Sequence, residues 1–219
     1  MKAMIFAAGF GTRLQPFTNE HPKALLKING KYLLEHAILY LQKYNLLDIV
    51  VNVHHFANQI IEVVLKNNGW GSNIIISEEK DILETGGGLL FAKNHFIHEQ
   101  NFVVLNADIL TNMPLDKMIA QHKMGNNIAT LATSNRASKR QLLFNEHKIL
   151  CGWQHNSTQE KKIIKSYQTI TPLAFNGIHI INTRFFDELT LTHYFSMIDA
   201  YLQIGTLQNI GFYDASAYH

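Results

Sequence analysis

A chain of 219 residues, 47% hydrophobic and 16% charged, is long enough to bury a sizeable core and has the ordinary composition of a globular protein. Its formal net charge of +2, with no basic tail and no run of like charge, argues against nucleic acid as a partner and for a small anionic ligand. Cys151 is the only cysteine, which excludes an intrachain disulfide and argues against a cysteine-based zinc site; the short, glycine-interrupted N-terminal run argues against a signal peptide and no segment approaches the ~18 apolar residues of a membrane helix, so a cytoplasmic protein with no membrane partner is expected.

The run AMIFAAG (3–9) is apolar and ends in glycine, which predicts a strand buried on both faces. YLLEHAILYLQKYN (32–45) sets Leu34, Ala37, Ile38, Leu41 and Tyr44 on one helical face. DIVVNVHH (48–55) predicts a second strand from its β-branched content, and NQIIEVVLKNN (58–68) a helix closed by Gly69. NIIISEE (73–79) predicts a third strand, TGGGLLFAKNHF (85–96) a helix, and NFVVLNAD (101–108) a fourth strand with an aspartate at its C-terminal edge. LDKMIAQHKM (115–124) reads as a helix and IATLATS (128–134) as a strand. This alternation predicts an α/β fold, a Rossmann-like, mostly parallel sheet flanked by helices.

After residue 135 the texture changes. QLLFNEHKILCGWQH (141–155) predicts two antiparallel strands around a polar turn, and SYQTITPLAFNGIHIIN (166–182) adds strand sequence. YFSMIDAYLQIG (194–205) reads as a helix and NIGFYDA (209–215) as a last strand, which makes the sheet mixed. No repeat or polar linker divides the chain, so one domain over 1–219 is expected, with a regular half (1–135) and a less regular one (136–219).

Gly9 and Gly11 follow the first strand, where glycine suits a backbone that bends tightly or lets a ligand approach. Arg13 and Lys23 suggest that the ligand is anionic. The dinucleotide fingerprint needs a third glycine where Leu14 stands, and the P-loop pattern G-x-x-x-x-G-K-[ST] is absent. Two readings remain: a loop whose N–H groups face phosphate oxygens, with Arg13 and Lys23 adding charge, or a plain turn with two exposed cations. Pro16 and Pro22 limit helix formation between them and predict an extended or looped segment.

The whole stretch AAGFGTRLQPFTNEHPKALLKINGKYLLEHAI resembles the signature of the sugar-1-phosphate nucleotidyltransferases: G-x-G-T-R-L-x-P-x-T, then P-K, then a glycine and an apolar helix. The resemblance implies a GT-A-like nucleotidyltransferase fold with a small antiparallel sugar-binding subregion. It also implies a nucleoside triphosphate and a sugar 1-phosphate as substrates, Mg²⁺ as cofactor, and an NDP-sugar and pyrophosphate as products. Ala7, Ala8, Gly9, Gly11, Thr12 and Arg13 then fall on the nucleotide's phosphates and sugar, and Lys23 neutralises charge around the reacting phosphates. Asp108, by itself better read as a turn or cap aspartate than as a ligand, becomes the Mg²⁺ carboxylate with Asn106 beside it.

Further on, LETGGGLLFA (83–92) puts three glycines where a helix begins, a place whose N–H groups attract acceptors. The resemblance lays Glu84, Thr85, Gly86, Gly87 and Gly88 along the base and the incoming sugar, and LETGGG is similar to the N-acetylmuramate-1-phosphate uridylyltransferase branch. That makes UTP with N-acetylmuramate 1-phosphate the leading pair and GTP with mannose 1-phosphate the alternative. In VNVHHF (51–56) the adjacent histidines point to opposite faces of a strand, which argues against a metal pair, and Asn52 approaches the base and ribose in similar proteins. LAFNGIHIIN (173–182) resembles the family's F-x-G-I segment, placing Asn176 and Gly177 at the sugar; a glycine bulge alone would read the same way.

Two departures stand out. The Glu-Lys-Pro motif usual in hexose thymidylyltransferases is absent from GWQHNSTQEKK, which argues against that branch. The family's W-x-D-x-G segment, with its second metal aspartate, should begin where the sequence reads YDASAYH, and Asp214 lacks the flanking pattern. Either the sequence is cut short of that segment, or one side-chain carboxylate serves the metal and catalysis is weakened. The latter would suit a weakly active nucleotide-sensing subunit.

Overall fold

The computed structural model describes residues 1–218 and, at Arg13, the backbone without the side chain. The chain forms two compact units: Met1–Leu110 with Thr192–Ser196, and Thr111–Leu191 with Met197–His219.

The first unit is a parallel α/β layer. Its strands are β1 (Ala3–Phe6), the two-residue ribbon strands β2 (Lys27–Ile28) and β3 (Lys31–Tyr32), β4 (Asp48–Val53), β5 (Asn73–Glu78) and β6 (Asn101–Asn106). Its helices are α1 (Leu33–Gln42), α2 (Ala57–Lys66) and α3 (Glu84–Phe91). The main strands run in the order β6-β1-β4-β5, all parallel. Every residue of β1 is buried, as its unbroken apolar run predicts for a central strand. Leu34, Ala37, Ile38 and Leu41 of α1 are fully buried, and each larger side chain contributes roughly 1.5–3 kcal/mol. The Tyr32 N–H donates to Glu35 Oε2 at 3.3 Å, which closes the first turn of α1.

Register decides where chemistry can sit. Phe6, the last residue of β1, pairs with Asn52 on one side and Asn106 on the other. Chain order runs from β1 outward to β4 and β5 on one side and returns to β6 on the other. The carboxyl end of β1 is therefore a topological switch point, where open α/β sheets form a crevice.

The second unit holds α4 (Leu115–Met124), β7 (Ala129–Ser134), β8 (Arg140–Asn145), β9 (Leu150–His155), β10 (Glu160–Ile163), β11 (Ile170–Asn182), α5 (Phe185–Glu188), α6 (Met197–Ile204) and β12 (Ile210–Asp214). Strands β10, β9, β8 and β11 form an antiparallel series, and the expected hairpin is β8–β9, with Leu142 opposite Trp153. The long β11 pairs with β8 through its first residues and with β7 through its later ones; β12 runs parallel to β7.

Sequence periodicity misses β10, whose residues EKKI are all exposed. It is a charged outer strand with no apolar alternation to reveal it, a form that also discourages edge-to-edge pairing. The helix expected to reach residue 96 ends at Phe91 and gives way to a 3₁₀ turn at Lys93–His95. Among the described residues no helix is long and apolar enough to cross a membrane.

Candidate nucleotide site

The loop leaving β1 is tied down at both ends. The Ala7 N–H donates to Asn52 Oδ1 at 2.9 Å, and the Gly11 carbonyl accepts from Leu14 N at 2.8 Å and Thr18 Oγ1 at 3.1 Å. Gly11 has φ +63°, and a Cβ there would stand 2.8 Å from Lys23 Cβ, so both conformation and space demand glycine. Gly9 differs: among the described residues, none beyond its own chain neighbours has an atom within 4 Å of where its Cβ would be. Its missing side chain relieves no clash and leaves the mouth of the cleft open.

Between Arg13 and Lys23 the chain is looped, with extended backbone at Gln15 and Pro22. It coils through the 3₁₀ turns Thr12–Leu14 and Phe17–Asn19, then Lys23–Leu25. Coiling keeps ten positions of sequence compact and returns Lys23 to the side of Gly11. There the Lys23 ammonium pairs with the Asp108 carboxylate, which stands two residues beyond β6. The Ala107 N–H donates to the Phe6 carbonyl at 3.0 Å and sets the direction of that turn. Both charged side chains remain partly open, at 25% and 33% exposure, so a ligand can reach either.

A cleft of about 280 Å³ collects Gly9, Gly11, Thr12, Lys23, Asn106 and Asp108, with Thr85 on its rim. A second cleft of about 250 Å³ shares the loop and is walled by Phe10, Asn52, Glu79, Ile82 and Glu84. Most of the residues expected at the nucleotide thus come together in the first unit: Ala7, Ala8, Gly9, Gly11, Thr12, Asn52, Glu84 and Thr85 line one cleft or both. The Arg13 side chain lies outside the described residues.

Glu79 is a site residue that sequence reasoning missed. It is 3% exposed. Asn52 Nδ2 donates to its Oε1 at 2.6 Å and the Leu83 N–H to its Oε2 at 3.3 Å. Because Asn52 also accepts from Ala7, the pair fixes the loop, the end of β4 and the approach to α3 as one assembly. In ISEEK nothing separates Glu79 from Glu78; the Glu79 N–H bond to Val53 O at 2.8 Å, a tertiary contact, decides which one lies inside.

Burial pushes the Glu79 carboxyl above its ordinary 4.5, while the Asn52 and Leu83 hydrogen bonds and nearby His54 pull it part of the way back. A raised value in the folded chain means that it holds the proton more tightly than the unfolded chain does. Stability therefore falls as pH rises above about 4.5 through the folded value. Glu79→Gln removes that charge, so its stability relative to wild type should climb as pH rises above about 4.5 in urea unfolding. A difference flat with pH would show that burial does not govern this group.

The three glycines of α3 have a different cause from the one expected. The N–H groups of Gly86 and Gly87 are not open to a ligand; both donate to the Phe195 carbonyl, at 2.9 and 3.1 Å. A Cβ at Gly86 would meet the Phe195 ring at 2.4 Å, at Gly87 the His193 oxygen at 2.0 Å, and at Gly88 the Glu79 carboxylate at 2.5 Å. Close packing against residues 193–195 and the Glu79–Asn52 pair requires all three. Glu84, just before them, holds a left-handed backbone at φ +60° and accepts from the Tyr194 hydroxyl at 3.0 Å. Such strain in a non-glycine residue persists where its surroundings over-determine it.

The two histidines also differ from expectation. Strand β4 ends at Val53, so His54 and His55 sit on the turn beyond it, where strand alternation no longer applies. His54 Nδ1 contacts the Glu79 carbonyl at 3.0 Å, and the His55 ring lies 5.2 Å from Phe10.

Asn176 and Gly177 belong to the second unit. Gly177 has φ +78° inside a bulge that interrupts the β11–β7 pairing between Phe175 and His179. Asn176 Oδ1 accepts from Ser134 Oγ at 3.0 Å and Arg136 Nε at 3.4 Å. Asp214 ends β12, and its carboxylate, held below the usual range by hydrogen bonds from Ser216, takes the Ser216 N–H at 2.9 Å.

A protein-family model described as nucleotidyl transferase matches residues 2–141. Over 94 residues the chain is 44% identical to an N-acetylmuramate alpha-1-phosphate uridylyltransferase of Caulobacter vibrioides, covering 41% of this chain and 38% of the relative. Over 196 residues it is 28% identical to a mannose-1-phosphate guanyltransferase of Gibberella zeae, covering 87% of this chain and 52% of the relative. The chain thus spans about half the length of the curated relatives it matches, or less. HddC from Yersinia pseudotuberculosis, solved in complex with GMP-PN, superposes with a TM-score of 0.78 at 19% identity, covering 100% of this chain and 91% of that one. An inositol-1-phosphate CTP transferase from T. maritima gives 0.76 at 16% identity, covering 100% and 86%. At these identities the likeness is one of fold.

Proposed function

Because the chain belongs to the nucleotidyl transferase family, we propose that it transfers a nucleotidyl group from a nucleoside triphosphate to a sugar 1-phosphate, releasing pyrophosphate and an NDP-sugar. The observation that carries this reading is the meeting of Lys23 and Asp108, 85 positions apart, beside the glycine loop in one cleft. The preferred pair is UTP with N-acetylmuramate 1-phosphate, supported by the LETGGG string and the uridylyltransferase likeness. The longer match to a mannose-1-phosphate guanyltransferase supports GTP with mannose 1-phosphate as the second reading.

In the reaction, an oxygen of the sugar phosphate attacks the α-phosphorus as the bond to the β-phosphate's bridging oxygen breaks. Pyrophosphate leaves with that electron pair. The attacking oxygen is already ionised at neutral pH, so no general base is needed. The chain supplies position and positive field. Among the described residues no acceptor takes the Gly9 or Gly11 N–H, which are assigned to the phosphates. Lys23 exchanges Asp108 for phosphate oxygens, Arg13 is assigned to the departing pyrophosphate, and Asn52 and Glu84 to the base and ribose. Gly86 and Gly87 act through packing, by seating residues 193–195. Asn176 and Gly177 are assigned to the sugar.

The donor set suits Mg²⁺. Asp108 offers a partly exposed carboxylate with Asn106 in the same cleft, and magnesium takes one or two carboxylates with phosphate oxygens and water. Among the described residues no three His, Cys, Asp or Glu side chains form a cation cage, which suits an ion that arrives with its nucleotide. When bound, it neutralises charge on the phosphates.

The test is pyrophosphate release from a panel of nucleoside triphosphates against several sugar 1-phosphates with Mg²⁺. Release is expected, fastest for UTP with N-acetylmuramate 1-phosphate. Nucleotide binding with no release from any pair would replace the transferase reading by a sensing one.

A further inference from the structure

We propose that Tyr194 is a positioning residue: it holds the Glu84 carboxylate where the two clefts of the first unit meet, and that carboxylate accepts a hydrogen bond from a ribose hydroxyl of the nucleotide. The inference rests on the reading that the chain takes a nucleoside triphosphate. It deepens that reading by assigning the group that recognises the nucleotide's ribose and the residue that aims it.

Residues 192–196 belong to the first unit although they come late in the chain. They form a strap fastened to the start of α3. The Phe195 carbonyl takes the Gly86 and Gly87 N–H groups, and the Phe195 N–H reaches the Leu83 carbonyl. From this anchored base the Tyr194 hydroxyl donates to Glu84 Oε1 at 3.0 Å. Glu84 and His193 both hold left-handed backbone, at φ +60° and +61°, a conformation that non-glycine residues keep where their surroundings fix them. The Glu84 hydrogen bond and charge hold the Tyr194 hydroxyl above its ordinary pKa, so it stays a donor at neutral pH. Among the described residues no donor takes Glu84 Oε2. One oxygen of the carboxylate is thus tethered and the other is left for a ligand, with less ordering entropy to lose on docking.

The order of residues along the clefts decides what Glu84 meets. Lys23 and Asp108 line the first cleft, while Asn52, Glu79 and Ile82 line the second. Thr85 lines both, and Glu84, its neighbour in the chain, lines the second. In a nucleotide the ribose lies between the phosphates and the base. With the phosphates beside Lys23, the residue next to the shared Thr85 meets the ribose, and the far wall of the second cleft is left for the base. Charge agrees with this order. A carboxylate repels phosphate, and the edge of uracil offers it one N–H flanked by two carbonyls. A ribose instead offers two hydroxyl donors, and a carboxylate taking a ribose hydroxyl is a pairing known from dinucleotide sites. Such O–H···O⁻ bonds are charge-assisted and stronger than neutral ones.

The experiment is calorimetric titration of the 219-residue chain with Mg²⁺ and no sugar phosphate. The probes are UTP, GTP and the 2′-deoxy and 3′-deoxy analogues of each. For the nucleotide that binds, the weaker of its two analogues should bind about tenfold less tightly, the scale of one charge-assisted hydrogen bond. Tyr194→Phe keeps the ring and should bring that ratio to within about threefold. Glu84→Ala should bring it to within about twofold, and adding Tyr194→Phe to Glu84→Ala should change it no further, because Tyr194 acts through Glu84. A strap that mattered for packing alone would weaken a nucleotide and its analogues alike and leave the ratio intact. Circular dichroism on the variants checks the fold. Equal affinities for a nucleotide and both analogues in wild type, a ratio that survives Tyr194→Phe, or a further loss on the Glu84→Ala background overturns the inference while the nucleotide reading stands. No binding of UTP or GTP overturns that reading and this inference with it.

Discussion

Lys23→Ala should lower turnover by about 10²- to 10³-fold, the usual consequence of removing one donor aimed at developing phosphate charge, and Asp108→Ala should do at least as much. Stability should hardly change. The Lys23–Asp108 pair is partly exposed on both sides, and solvent-accessible ion pairs contribute about 0–1 kcal/mol. Large kinetic loss with small stability loss is the signature of a pair kept for chemistry. If both residues act on one set of phosphates, as proposed, the double variant should lose less than the product of the single losses. Rates near wild type in either single variant, measured by pyrophosphate release, would contradict the assignment, as would losses that track unfolding.

Gly87→Ala should destabilise the protein by about 3 kcal/mol, toward the upper end of overpacking costs. The added methyl would stand 2.0 Å from the His193 carbonyl oxygen and 3.0 Å from Leu83 Cβ. The first of these is backbone, so no side-chain rotation relieves it. Displacing residues 193–195 would also strain the Gly86 and Gly87 bonds to Phe195 and the 3.4 Å bond from Phe195 N to Leu83 O. Gly9→Ala is the informative contrast. With none of the described residues beyond its chain neighbours within 4 Å and no left-handed φ, it should move the urea midpoint little while weakening nucleotide binding, since its methyl enters the cleft. A Gly87→Ala midpoint equal to wild type would mean that residues 193–195 are not packed on α3.

Those glycines also show where sequence reading stops. The strand and helix order was legible because burial imposes period: β1 reads as an apolar run and α1 as an apolar stripe. The loop was legible because its glycines and cations all fall between residues 9 and 23. The glycines of α3 were visible, but their cause, a segment more than a hundred positions later, was not. Glu79 stayed hidden for a similar reason, since only the turn that bonds it to Val53 puts it inside and leaves Glu78 outside. Lys23 and Asp108 could each be singled out, but their direct pairing came from strand register.

The central claim is that the bend after β1 encloses the phosphates of a nucleoside triphosphate. A crystal structure with Mg²⁺ and a non-hydrolysable nucleoside triphosphate tests it most directly. Phosphate density is expected against the N–H groups of Gly9 and Gly11, with the Lys23 ammonium moved from Asp108 to a phosphate oxygen. Phosphates bound elsewhere, with the Lys23–Asp108 pair still closed, would contradict it.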